Sequence, residues 1–258
     1  MKQYIGNFKK YTPLLFELVS RDIKTKYRRS ILGVFWTLLN PLLMMVILTI
    51  VYSNLFKFQI ENFPLYILSG QVIFNFFSEA TNTAMSSIIQ SSSLIRKVYI
   101  PKYLFTIAKI LSSVVNIMAS FSALLIVMIF TKAELHYSIV FAIFPMILIT
   151  LLSTGVGLLL AAFAVKFRDL VHLYGVFTTA LMYMSPIIYP MEILPEKVAT
   201  VVRINPITNI LEIFRGVIMY NAMPGIDVIL MATIPSIVML FIGFYAFYKK
   251  QDTFILNV

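Results

Sequence analysis

Three small sets of residues carry the chemistry open to this chain. Lys24, Lys26, Arg28 and Arg29 follow one another closely, with Tyr27 among them. Such a cluster attracts anionic headgroups at about 1 kcal/mol per charge. It could equally receive a lipid-linked phosphate, or simply hold its segment on the inner side of a bilayer. Glu79 is a lone acid within a long apolar run, and an acid so placed faces a wet cavity or a partner. Its neighbours Ser78, Thr81 and Asn82 are polar too, which leaves a solvated opening, hydrogen bonding between helices and substrate contact all open. Glu192, Glu196, Glu212 and Asp227 are the remaining acids with any prospect of acid–base work, and they are scattered among prolines. With no cysteine and two histidines, thiolate metal sites, iron–sulfur ligation and cysteine nucleophiles are excluded. None of the nine glycines precedes a lysine, so no GxxxxGK[ST] loop is present to cradle the phosphates of ATP.

The elements that position these residues follow from where charge is absent. Of 258 residues, 60% are hydrophobic and 12% charged, an apolar load that a water-soluble fold of this size could not hide. Uncharged runs of 27, 22, 31, 22 and 21 residues extend over 30–56, 110–131, 135–165, 170–191 and 228–248. Each is long enough for a membrane helix, which needs about 20 residues. A sixth runs from Pro64 to about Ile89 and carries Glu79. Continuous runs favour helices over a barrel, whose segments alternate. The sequence therefore predicts an all-α integral membrane protein of six transmembrane helices in one domain, with residues 1–29 as an interface segment and 30–258 as the membrane domain. With the N-terminus inside, 16 of the 21 basic residues fall in inner segments. The net charge of +10 is then mostly topology rather than a nucleic-acid surface.

Around these spans lie three further segments. Phe8, Tyr11, Leu15, Leu18, Val19 and Ile23 recur at helical spacing and predict an amphipathic helix in the inner interface, with Thr12 and Pro13 suited to its start. Between the second and third spans, Ser91 to Ser93 offer an N-cap, Leu94, Ile95 and Val98 an apolar edge, Arg96 and Lys97 a wet one, and Pro101 a stop. This is a short helix along the membrane, able to wedge into a groove of a cytosolic domain. Asp169 can cap the fifth span. From Pro186 to Gly225 the chain is apolar but broken by prolines. Ile207, Ile210, Leu211, Phe214, Val217 and Ile218 form one face there, and Glu212 and Arg215 stand three apart as an ion pair. Crossing here would place Lys249 and Lys250 outside, so a re-entrant pair of short helices before the last span is expected.

Several blocks are similar to one family. The stretch "KYRRSILGVFWTLLNPLLMMVILTIVYSNLF" (26–56) resembles the first span of ABC-type permeases that export polysaccharide: O-antigen, capsule or teichoic acid. "LIRKVYIPKYLF" (94–105) resembles the segment those permeases press onto their ATPase. "FRDL" (167–170), "SPIIYP" (185–190), "LPE" (194–196) and "NPITNILEIFRG" (205–216) follow in the family's order. The resemblance implies a homodimeric permease with two copies of a separate ATP-binding subunit. ATP and magnesium would be held by that subunit, and no cofactor or metal by this chain. It implies a bacterial inner-membrane location with both termini cytoplasmic, and a lipid-linked polysaccharide and membrane lipids as partners. Leu94, Ile95, Arg96, Lys97, Val98, Tyr99 and Pro101 would couple to the ATPase, and Lys26, Arg28 and Arg29 would receive a pyrophosphate or lipid headgroup. Pro186, Glu212 and Arg215 would belong to an outer gate.

Aromatics make up 14% of the chain. Tyr52, Tyr66, Tyr245 and Tyr248 suit interfacial belts near span ends. Phe35, Trp36, Phe177, Tyr183 and Tyr189 fall around the first and fifth spans, which line the conduit in the resembling family, and sugars slide over such rings by apolar C–H stacking. Two other readings stay open here: an ABC permease for a drug, lipid or small glycolipid, and an integral-membrane transferase built on the outer acids.

Overall fold

The computed structural model describes residues 2–28, 30–56, 60–97 and 100–254. Among them all regular structure is helical. The helices are α1 (Lys2–Lys26), α2 (Trp36–Phe56), α3 (Phe63–Gln90), α4 (Ser92–Ile95), α5 (Tyr103–Phe130), α6 (Ile143–Ala164), α7 (Leu170–Tyr183), α8 (Glu196–Ile204), α9 (Pro206–Met219) and α10 (Ile226–Lys250). Among the described residues four stretches, Gly33–Ser53, Tyr103–Phe130, Tyr137–Ala164 and Ile226–Thr253, are long and apolar enough to cross a membrane.

The helix α3 is the axis of the bundle. It packs against α2, α5, α6, α7 and α9 and is buried along most of its length. That position explains how it tolerates polar residues. Thr81 donates to the carbonyl of Phe77, Asn82 to that of Ser78 and Thr83 to that of Glu79, so their side chains are satisfied within the helix. Two bonds go outward: Ser87 shares one with Thr106 of α5 at 2.8 Å, and Tyr174 of α7 donates to Thr81 at 2.7 Å. Interhelical bonds of this kind hold helices together where apolar burial gives no driving force.

The closest crossing joins α6 to α10. A Cβ added at Gly155 would strike the backbone of Met239, and one at Gly243 would strike the backbone of Gly155. Only paired glycines allow that approach. At one end of the bundle Leu15 and Leu18 of α1, Ile95 of α4, Leu104 and Phe105 of α5, and Phe247 and Phe254 at the C-terminus share one apolar cluster. Both ends of the described chain therefore meet on the same side. On that side Lys102 donates to the carbonyl of Gln251, and burial lowers its ammonium from the usual lysine range, opposed by Asp252.

Several expectations change in detail. Helix α1 begins at Lys2 and runs through Pro13 rather than starting there. Leu15 and Leu18 form its buried stripe, as the spacing implies, while the side chain of Phe8 lies outside the described residues. The fifth span is broken: α7 has 14 residues, about 21 Å at 1.5 Å each, short of a hydrocarbon core of about 30 Å. Its helix stops at Tyr183 because Pro186 and Pro190 cannot continue it. Asp169 stands at the start of α7, and Ser91 at the start of α4, yet neither side chain caps its helix.

The Gly155–Gly243 crossing yields a direct test. Gly155→Leu or Gly243→Leu should destabilise the protein in detergent by about 1–3 kcal/mol, as overpacking does, read as a lowered Tm. Gly175→Ala, where a Cβ meets open space, should cause no loss.

Candidate functional site

Three groups of side chains, at two ends of the bundle and between them, stand out by their chemistry. The first surrounds Arg215 on α9, a guanidinium fully enclosed by protein. Its Nη1 donates to the carbonyl of Pro186 at 2.6 Å, Nη2 to those of Tyr66 at 3.1 Å and Ile187 at 2.9 Å, and Nε to the Ser69 hydroxyl at 3.2 Å. The planar group lies 3.5 Å from the centre of the Tyr66 ring. Among the described residues no carboxylate pairs with it. Backbone dipoles and a π face therefore carry the compensation that a buried cation requires. Gly70 makes room, since a Cβ there would stand 2.8 Å from Ile187 and 2.9 Å from Arg215.

These contacts staple the irregular segment 185–190 to α3. Tyr66 adds a bond from its hydroxyl to the carbonyl of Tyr189 at 2.9 Å. Asn205 caps α9 by accepting from the amide of Ile207, and its amide group donates to Ser185. Asn209 returns to the carbonyls of Arg203 and Asn205. All six residues of the expected apolar face, Ile207, Ile210, Leu211, Phe214, Val217 and Ile218, are buried. The expected Glu212–Arg215 pair does not form. Residue 212 is exposed while 215 points into the bundle, where carbonyls freed by the break after α7 offer better partners. Pro186 is buried with them.

The second group lies where α1 ends. Lys26 donates to Oε1 of Glu79 on α3 at 2.6 Å, and the Asn116 amide of α5 donates to the same oxygen at 2.7 Å. Tyr27 donates to the other side of Asn116 at 3.2 Å. The cations of the basic segment thus divide. Lys26 faces α3 and α5, while Arg21, Lys24 and Arg28 line an open groove on α1 with Glu17, Ser20 and Thr25. Arg29 lies outside the described residues.

The third group is the turn after α3. Ile95 is buried in the apolar cluster with Leu15, Leu18, Phe247 and Phe254, and Leu94 packs at its edge. Arg96 and Lys97 are exposed, and Pro101 is half-buried ahead of α5. Val98 and Tyr99 lie outside the described residues. Ile95 therefore anchors the turn within its own chain, with Arg96 and Lys97 on its exposed side.

The aromatic set falls in two places, Phe35 and Trp36 at the start of α2, and Phe177 and Tyr183 on α7 with Tyr189 just beyond it. Phe35, Trp36, Phe177 and Tyr183 are exposed on two helices flanking α3, and Tyr189 is half-buried, its hydroxyl donating to the carbonyl of Tyr183 at 2.8 Å. Of the belt tyrosines, Tyr245 and Tyr248 are exposed as expected, whereas Tyr66 is buried beneath Arg215.

Residues 13–219 match the family described as ABC-2 type transporter. The chain belongs to that family. As an ABC-2 type transporter it resides in a membrane, in keeping with its apolar helices. It is 24% identical over 98% of both chains to an O-antigen export system permease protein of Myxococcus xanthus. It is 23% identical to a polysialic acid transport protein of Escherichia coli, covering 91% of this chain and 92% of that one. To a capsule polysaccharide export inner-membrane protein of Haemophilus influenzae it is 24% identical, over 77% and 76%. The family match runs from within α1 to the end of α9 and so includes the Arg215 cage.

This ABC-2 transporter has no native cysteine, so a single introduced thiol reports cleanly. Arg215→Lys should release the 185–190 segment, because one ammonium cannot reproduce a fork of donors. Ile188→Cys should then react with maleimide at least about tenfold faster than in the parent, the factor of 1.4 kcal/mol in local opening. Loss of Tm without faster labelling would place the role of Arg215 elsewhere.

Proposed function

We propose that this chain is the permease subunit of an ATP-driven exporter that moves polyprenyl-diphosphate-linked polysaccharide across the bacterial inner membrane. What carries the reading is the end-to-end similarity to an O-antigen export permease, over 98% of each chain. In this account two copies join two ATP-binding subunits, which hold ATP and magnesium. Each copy crosses six times, with α2, α3, α5, α6, the broken α7 and α10 as spans and both termini in the cytoplasm.

The arrangement suits such a cycle. Closure of the ATPase pushes on Leu94 to Pro101. Because Ile95 is packed with Leu15, Leu18 and Phe247, the push reaches α1 and α10 as rigid-body motion rather than dissipating in a loop. Helix α1 ends at Lys26, and Arg28 and Arg29 follow it in sequence, so the same motion displaces the groups that meet the substrate's phosphates. The exposed rings Phe35, Trp36, Phe177 and Tyr183, with Tyr189, then line a path that closes only when a second copy is present. At the far end, α8 and α9 with Pro186, Glu212 and Arg215 form the exit. No covalent chemistry occurs in this subunit.

The test is ATP hydrolysis by the complex in nanodiscs with its ATP-binding subunit. Ile95→Asp should leave the complex assembled but lower substrate-stimulated hydrolysis by about tenfold, the rate factor of 1.4 kcal/mol. Arg96→Glu combined with Lys97→Glu should dissociate it. Unchanged assembly and hydrolysis in both variants would contradict the coupling role.

A further inference from the structure

Lys26 is the one described cation of the basic segment that faces the membrane helices, and it is already occupied. Glu79 takes its ammonium at 2.6 Å, and the carboxylate is held in place by Asn116, itself braced by Tyr27. Both donors converge on Oε1. The pair is open to its surroundings, with the Lys26 side chain 46% and the Glu79 side chain 34% exposed. An ion pair so accessible is worth little, about 0–1 kcal/mol, so another anion can reach and take the ammonium. A membrane surface supplies singly charged phospholipid headgroups in great excess over any lipid diphosphate. A bare Lys26 would be filled by them.

We propose that Glu79 is a built-in competitor that sets how tightly an anionic phosphate must bind to occupy Lys26, a threshold that a diphosphate passes and singly charged phospholipids do not; this rests on the reading of the substrate as diphosphate-linked. Exchanging one carboxylate for one phosphodiester gains nothing, since a single charge replaces a single charge. Exchange for a diphosphate is favourable, because two adjacent phosphates present more charge to the same ammonium. Asn116 keeps hold of the displaced carboxylate, so Glu79 stays beside the site and recaptures Lys26 when the headgroup leaves. Glu79 weakens every anion by the same factor, so the preference comes from the greater charge of the diphosphate, and the competitor keeps the weaker ligand from filling the site. The lone acid in α3 acts on occupancy of the site without touching the substrate.

The experiment uses the full chain with its ATP-binding subunit in nanodiscs, with geranylgeranyl diphosphate as the probe, inorganic pyrophosphate as the free counterpart and geranylgeraniol as the uncharged control. In phosphatidylcholine, Glu79→Gln should bind both phosphate probes about threefold to fivefold tighter than wild type, the size of an exposed ion pair, with geranylgeraniol unchanged. Adding phosphatidylglycerol should erase that gain in Glu79→Gln and leave wild-type affinity nearly constant. In a Lys26→Gln background the Glu79 substitution should have no effect. A purely structural ion pair would lower Tm in Glu79→Gln and tighten nothing. Absence of tightening, or tightening that persists without Lys26, overturns the proposal while leaving the substrate reading intact. Wild type that binds geranylgeranyl diphosphate no better than geranylgeraniol sinks the substrate reading and this proposal together. Tightening confined to inorganic pyrophosphate also overturns it, since the lipid-borne ligand would then not reach Lys26.

Discussion

A guanidinium with no carboxylate partner among the described residues, enclosed by protein in a membrane bundle, dictates much of the surrounding architecture. Burying the cation of Arg215 is tolerable only if its donors find strong acceptors, and in a regular helix every carbonyl but the last four is already taken. The acceptors must come from backbone that is not helical. That requirement and the early end of α7 are two sides of one fact: Pro186 and Ile187 are free to face Arg215 because the helix stops at Tyr183. Irregular backbone, in turn, survives at membrane depth only where protein encloses it, and residues 185–188 are buried. Gly70, Ser69 and Tyr66 complete the enclosure from α3.

The opposite end is organised by apolar packing rather than by charge. Leu15, Leu18, Ile95, Phe247 and Phe254 gather three separate parts of the chain into one cluster. The cage at Arg215 and this cluster are linked by α3, whose N-terminal turns supply Tyr66, Ser69 and Gly70 and whose C-terminal end leads into the turn at Ile95. A rigid connection of that kind lets a small displacement at one end reach the other, and it places Glu79, partnered with Lys26, along the way.

Charge-free intervals reveal the long helices because bilayer burial penalises charge more than any other property. α2, α5, α6 and α10 therefore end within two residues of where those intervals do, although α2, α5 and α6 begin six to eight residues from the interval starts. The same signal overestimates the fifth span, since a run of uncharged residues does not register that two prolines have interrupted the helix. Spacing on α9 gives the right buried face but the wrong partner for Arg215: three-residue separation allows an ion pair with Glu212, and nothing local reveals carbonyls at Pro186 and Ile187. Asn116, and the bond that Tyr27 of the basic cluster makes to it, are hidden for a related reason: both residues are uncharged, and their importance appears only where the end of α1 meets α3 and α5. The lone acid was the visible half of that network. Tyr66 carried a signal that could have been read differently, as it is followed within four residues by Ser69 and Gly70, a hydroxyl and a gap on one helix face.

These features describe a bundle whose two ends are each locked, one by a buried cation and one by an apolar cluster, around a central helix. In the proposed account their joint purpose is movement of a lipid-linked glycan from one membrane face to the other. The most direct measurement is made in inverted vesicles containing this chain and its ATP-binding subunit, loaded in the outer leaflet with a polyprenyl-diphosphate-linked glycan. ATP should make the glycan resistant to an added glycosidase as it passes into the lumen, and Ile95→Asp should abolish that protection. A glycan that stays fully accessible with ATP present, in vesicles whose ATPase is active, would contradict the account.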